Sequence, residues 1–283
     1  MRFLRIGPAG AERPVAVDRT GAAYGLRPLT EDITAEFLAA EPAPRTAAAI
    51  AAGRLPRIEL AGERIGAPLA RAASIICIGM NYAAHAAESG AAPPPEPVVF
   101  FKKPNTMVGP NDPIELPPGS LHLDWEVELA VVIGRPARGL DPAADPLELV
   151  AGYALTNDLS ERELQLDRSG GQWSKGKCAP GFAPLGPWIA TPDEFADVQR
   201  IALRSWVNDE PRQDSTTADM VFPVAEILRD LLACMPLEPG DVILTGTPEG
   251  VALSGRFPYL RAGDRVRMSA DGLGEIEQLV VAR

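Results

Sequence analysis

Cysteine and histidine are scarce in this chain of 283 residues, which has three of the first and two of the second. Cys77, Cys178 and Cys234 are odd in number and widely spaced, and no CxxC pair occurs. That fits neither a disulfide framework nor a thiolate zinc site; reduced thiols in a cytosol are the simplest account. Long apolar runs are missing as well. The opening MRFLRIGPAG lacks the apolar core of ~7–15 residues that a secretory signal requires, and no stretch approaches the ~20 apolar residues of a membrane span. The expected location is the cytoplasm, with no membrane partner. Dense basic clusters are also absent. Lys and Arg total 27 against 38 Asp and Glu, a formal net charge of −11. No row of cations stands ready to neutralise phosphates, which argues against nucleic acid as a partner. A small acidic substrate remains compatible, because a cation held by carboxylates reverses the local field.

What is present is ordinary for a globular protein, with 46% hydrophobic and 23% charged residues. The length suits a large domain plus a small one. Residues 1–70 read as a small N-terminal α/β domain: strand-like RFLRIG and PVAVD, then helical stretches around Ile33 to Leu38 and Ala47 to Ala52. From Ile75 onward, β-branched runs are separated by Gly and Pro: SIICIG, PVVFFKKP, EVELAVVIG, GYALTND, RIALRSWVN, DVILTGTP and DRVRMSA. A strand-rich α+β domain over residues 71–283 is therefore expected to carry the chemistry. Helices are expected at NYAAHAAES, over residues 142–150, and from Pro223 to Leu232, where MPLEPGD stops the pattern. APPPEP after Gly90 reads as extended or loop.

Strand alternation in DWEVELAVVIG puts Glu126 and Glu128 on one face and Val127, Leu129 and Val131 on the other. Asp158, closing the run GYALTND, is a third oxygen ligand if the two strands are neighbours. Three carboxylates suit Mg²⁺, Mn²⁺ or Ca²⁺ better than zinc. The same E-x-E pattern also arises on the wet face of an ordinary strand. Asp124, before the strand, reads as a solvated loop aspartate. In CIGMNYAAHAAESG, His85 and Glu88 lie three apart, which on a helix capped by Asn81 lets the carboxylate orient the imidazole as a base for water. Gly79 and Gly90 would then be hinges of a lid. The alternative is an exposed pair on an Ala-rich helix. His122, in SLHLDWE, reads as a loop histidine.

Eight blocks in one order, CIGMNYAAHAAE, FFKKP, DWEVELAVVIG, GYALTNDLSERELQ, QWSKGKCAPGFAPLGPW, NDEPRQDSTTADMVF, DVILTGTPEGV and AGDRVRMSADGLG, resemble the fumarylacetoacetate hydrolase family over roughly residues 75 to 280. The resemblance extends to its acylpyruvases and diketo-sugar-acid hydrolases. It implies a catalytic domain with a mixed β-roll fold, a homodimer, and Mg²⁺ or Mn²⁺ held at Glu126, Glu128 and Asp158. It also implies His85 and Glu88 as the lid dyad, Lys177 as the substrate lysine, Thr247 as a hydroxyl contacting the substrate carboxylate, and Gln213 as a loop residue reaching the substrate. Read without the resemblance, Lys177 is a surface lysine, Thr247 a turn residue before Pro248, and Gln213 a loop amide. Many relatives carry Phe and Asp after the lysine, where this chain has Cys178, Ala179 and Pro180, a variant resembling the diketo-deoxy-sugar-acid branch. Met80 stands where some relatives acting on small 2-oxo diacids have a basic residue.

The chemistry implied is hydrolysis of a carbon–carbon bond in an acylpyruvate-like or 2,4-diketo acid, releasing pyruvate or another 2-oxo acid and a carboxylic acid. His85 would deprotonate water, with the cation and Lys177 taking up charge on the departing carbon. Two other readings compete. One is decarboxylation or tautomerisation of a 2-oxo acid at the same site; the other is a catalytically idle, metal-binding dimer.

Overall fold

A computed structural model describes residues 1–60, 62–88, 90, 92–139 and 141–283. Its spine is the strand Val127–Ile133, an unbroken apolar and β-branched run apart from Glu128. Such runs belong in strands buried on both faces, and this one is. Val127, Leu129, Val131 and Ile133 enter one core, where the helix Val224–Cys234 contributes Val224, Ile227, Leu228 and Leu231. Ala130 and Val132 enter a second core shared with Phe3, Leu26, Ile33 and Phe37 of the N-terminal stretch. The wet-face reading of the E-x-E pattern therefore fails, because this strand has no wet face.

The strand pairs antiparallel with Val150–Asn157 on one side and with Val242–Leu244 on the other. Val242–Leu244 runs parallel to Ile75–Gly79, and Val98–Lys102 closes that edge. In the other direction the sheet continues through Ala183–Ala190 to Arg2–Ile6, Arg13–Val17 and Ala23–Gly25. The N-terminal stretch is thus joined to the rest by sheet as well as by core. A second, five-stranded sheet holds Glu210–Thr216, Ala202–Val207, Arg265–Ala270, Gly274–Ala282 and Ile114–Leu116. The fold is mixed α+β and strand-rich, with open rather than closed sheets. No helix among the described residues is long and apolar enough to cross a membrane.

Antiparallel register gathers the key segments at one edge. Val127 faces Asn157, so Asp158 follows directly, and its N–H donates to the Glu126 carbonyl at 3.0 Å. Leu244 faces Ala130, which brings the next residues, TGTPEG, past Glu128. Ile75–Gly79 ends on the same side and leads into the helix Ala83–Glu88.

Two local expectations are corrected. Residues 142–150 do not form a helix; a single 3-10 turn, Pro146–Leu149, gives way to strand at Val150. The Leu149 carbonyl is taken by the N–H groups of Gly134 and Arg135, at 2.7 and 3.1 Å, which draws the chain into the sheet. Asn81 does not cap its helix. Its amide nitrogen donates to the Phe222 and Thr245 carbonyls at 3.1 and 2.8 Å, and its oxygen accepts from Phe222 N–H at 2.8 Å. It fastens the start of the His85 segment to two distant loops. Asn81→Ala leaves three backbone groups, one buried and two partly buried, without this partner and is expected to cost about 2–4 kcal/mol in urea unfolding. A loss under about 0.5 kcal/mol, the range of a surface substitution, contradicts this role.

Candidate active site

Glu126, Glu128 and Asp158 are 4%, 2% and 1% exposed. Each offers an oxygen, and the three oxygens lie within 4.8 Å of one another. Three cations press on this group. Lys177 Nζ sits 2.6 Å from Glu126 Oε2 and 2.6 Å from Asp158 Oδ2. Arg162 reaches Glu126 Oε1 at 2.6 Å and, through Nε, Asp124 Oδ2 at 2.8 Å. Lys102 pairs with Asp158 Oδ1 and donates to the Leu159 carbonyl at 3.0 Å. Asp124 is also the acceptor for the Ala252 and Leu253 N–H groups.

Glu128 is the exception. Among the described residues it meets no cation and accepts only the Gly246 N–H, at 2.8 Å. Burial, with the charges of Asp158 and Glu126 beside it, pushes its carboxyl well above the usual carboxylate range. Burial acts on Glu126 in the same sense, but Lys177 and Arg162 outweigh it and hold that carboxyl below the ordinary value. For Lys177, burial works against the ammonium; Asp158 and Glu126 more than offset it, so the lysine is held protonated. The cluster is a carboxylate trio with an acid excess at Glu128. Carboxylate oxygens engaged by Lys or Arg keep a second lone pair for a further bond. An all-oxygen donor set with that charge fits a hard divalent cation.

The loop after Val242–Leu244 serves the acids through its backbone. Gly246 (φ +95°) gives its N–H to Glu128, and Gly250 (φ +103°) gives its N–H to both Glu88 oxygens at 3.1 Å. Both positions lie in the left-handed region that favours glycine. A Cβ at Gly250 would stand 2.2 Å from the Arg212 carbonyl oxygen. Glu88, held this way, accepts from His85 Nδ1 at 3.0 Å. A carboxylate on Nδ1 selects the tautomer whose Nε2 lone pair is free. His85 is 94% buried and lines the same cavity as the carboxylates, a space of about 310 Å³.

The model of the fumarylacetoacetate (FAA) hydrolase C-terminal family matches residues 74–281. The chain belongs to the fumarylacetoacetate hydrolase family. A protein of Burkholderia multivorans (strain ATCC 17616 / 249), provisionally described as a hydrolase, is 46% identical, covering 100% of this chain and 99% of the relative. The maleylpyruvate hydrolase from Sphingobium sp. SYK-6, solved with manganese(II) and pyruvate, superposes with a TM-score of 0.80 at 30% identity, covering 100% and 99% of the two chains. A 2-hydroxyhepta-2,4-diene-1,7-dioate isomerase from Mycobacterium marinum gives 0.75 at 32% identity, with the same coverage. The family thus includes both hydrolases and isomerases among the structures this chain resembles.

Of the residues the family resemblance singled out, Glu126, Glu128, Asp158, His85, Glu88, Lys177 and Thr247 all line this cavity. Gln213 does not. Its oxygen accepts from Val127 N–H and Ser205, and its nitrogen donates to Thr247 Oγ1 and the Pro248 carbonyl, so it braces the wall from behind. The Thr247 hydroxyl spends its proton on the Val127 carbonyl, at 2.9 Å, and meets the cavity as an acceptor. His122 is half-exposed and 3.9 Å from Glu163; with Glu161 these form a second, shallower His/Glu group. Three residues were missed: Arg162, Lys102 and Asp124, the last having been read as solvated although it is fully buried. LSER and FFKK look like surface charge in a sequence; the one available signal was that each charge adjoins a buried strand.

The Glu128 carboxyl titrates above its unfolded value of 4.5, so ionising it costs the folded state stability as pH rises from there through the folded value. Glu128→Gln removes that cost. It is expected to raise the melting temperature of EDTA-stripped protein at pH 8, by roughly 2–4 °C per kcal/mol relieved, and to lose the rise in melting temperature that added Mn²⁺ is expected to give the native protein. A melting temperature lower than that of the stripped native protein, or an undiminished response to Mn²⁺, contradicts the charge assignment.

Proposed function

We propose that this protein hydrolyses a carbon–carbon bond in an acylpyruvate-like 2,4-dioxo acid, releasing pyruvate and a carboxylic acid, as a homodimer using Mg²⁺ or Mn²⁺. The observation that carries the reading is the presence, in one cavity, of the carboxylate trio with Lys177 and of a His85 whose outer nitrogen is free to act as a base. Decarboxylation requires only an electron sink, whereas hydrolysis also requires a group that activates water.

Glu126, Glu128 and Asp158 would hold a divalent cation, which would supply Lewis acidity and a template for a 2-oxo acid. The remaining work falls to side chains. His85 Nε2 takes the proton from water, and Glu88, fixed by Gly250, orients the ring and stabilises the imidazolium. The oxygen of that water bonds to the 4-oxo carbon. The bond from that carbon to its neighbour then breaks, and its electron pair departs as the enolate of pyruvate. Lys177, protonated and buried, meets the growing charge. Return of the proton to carbon completes pyruvate. The manganese- and pyruvate-bound maleylpyruvate hydrolase supports the product class.

The dioate isomerase among the similar structures favours tautomerisation as the second reading. Product analysis separates the two. Metal-replete protein is expected to release pyruvate and the acid in equal amounts, with His85→Ala and Glu126→Ala each lowering kcat/KM by about 10²–10⁴. An isomerised product without pyruvate establishes the second reading. Carbon dioxide from oxaloacetate, undiminished by His85→Ala, establishes a decarboxylase.

A further inference from the structure

Besides its charged groups the cavity is lined by the apolar side chains of Ile78, Met80, Phe100, Leu166, Trp173 and Leu253. Phe100 stands 5.0 Å below Lys177 Nζ and meets Trp173 edge-on at 5.4 Å, so the aromatic pair leads away from the charged end. Met80, Leu166, Trp173 and Leu253 are half-exposed, while Ile78 and Phe100 are buried. Only two permanent cations line the cavity among the described residues, Arg162 and Lys177. Each is already placed between two carboxylates, Arg162 between Asp124 and Glu126 and Lys177 between Glu126 and Asp158. His85 faces Glu88. The one amide on the wall, Gln165, is neutral, and its oxygen accepts from Arg162 Nη1 at 2.9 Å.

We infer that the acyl end of the substrate, remote from its 2-oxo acid group, is uncharged and largely apolar, and that this site discriminates against a second carboxylate. The inference rests on the 2-oxo acid reading of this cavity, though not on the cleavage step. A distal carboxylate would leave water for an apolar wall, where burial of an unpaired charge is strongly unfavourable. Nor does the cavity wall offer it a cation that is not already paired with carboxylates among the described residues. An alkyl or aryl group loses nothing on leaving water and gains the contacts of Phe100, Trp173, Met80 and Leu166. The substrate class is thus 2,4-dioxo monoacids with a hydrocarbon tail rather than dioates such as the one in the isomerase's name.

The test is calorimetric binding of 2-oxohexanoate and 2-oxoadipate to the Mn²⁺-loaded protein. The two have equal chain length and differ in a terminal methyl against a terminal carboxylate. Neither has a 4-oxo group, so affinity is read without cleavage. The monoacid is expected to bind at least about tenfold tighter. Leu166→Arg, at the half-exposed mouth, is expected to narrow or invert that ratio by supplying a cation; Leu253→Lys serves the same purpose should the first variant fold poorly. Equal or tighter binding of the diacid by the native protein overturns the inference, as does binding of neither acid. Pyruvate release from an alkyl-tailed 2,4-dioxo acid bears on the hydrolase reading alone. Its absence together with a retained monoacid preference would remove that reading and leave this one standing.

Discussion

Glu128 is a buried acid with oxygens of two further acids within 4.8 Å and no cation paired to it among the described residues, and much of the site's architecture answers that fact. Burial works against ionisation at both Glu126 and Glu128. Lys177 and Arg162 overcome it at Glu126, and Lys177 and Lys102 pair with Asp158. Glu128 receives only a backbone N–H. A cluster compensated at two of its three acids is poised for one more positive charge. Functional sites of this kind hold a charge imbalance that a stability-optimised core would not contain.

The scaffold makes the imbalance tolerable by leaving the acids no freedom to separate. Two of them flank the start of the central strand, the third follows the end of its antiparallel neighbour, and register places all three side by side. The glycine loop after the next strand contributes N–H donors to Glu128 and Glu88, so one segment braces both the acid cluster and the carboxylate that holds His85. Asn81 and Gln213 lie behind the wall and join loops far apart in sequence. Rigidity of this sort is what positioning demands, since a site loosened by about 1 Å can lose catalysis 10²-fold.

Legibility in the sequence followed the range of the interactions. The strands were visible because β-branched runs bounded by Gly and Pro are local signals, and the His85–Glu88 pair because its spacing is helical. Glu126 and Glu128 were legible as residues sharing one face, and Asp158 as the acid ending the neighbouring run. What stayed hidden was tertiary. Asp124 resembled any loop aspartate until Arg162 and three N–H groups surrounded it, and the helix expected over residues 142–150 yielded to sheet bonds from Gly134 and Arg135. The positions of Lys102 and Gln213 depend on contacts 56 and 35 residues away, which no periodicity encodes. Family likeness supplied the roles; only the packed structure shows that the cations near the acids are each paired with carboxylates.

The central claim is that Glu126, Glu128 and Asp158 are completed by a divalent cation. The most direct test is the anomalous difference density of a Mn²⁺-soaked crystal. The account predicts one strong peak bonded to all three carboxylates at the distances typical of oxygen ligands, lost in Glu128→Gln. A peak confined to the His122, Glu161 and Glu163 group, or none near Glu128, would contradict it.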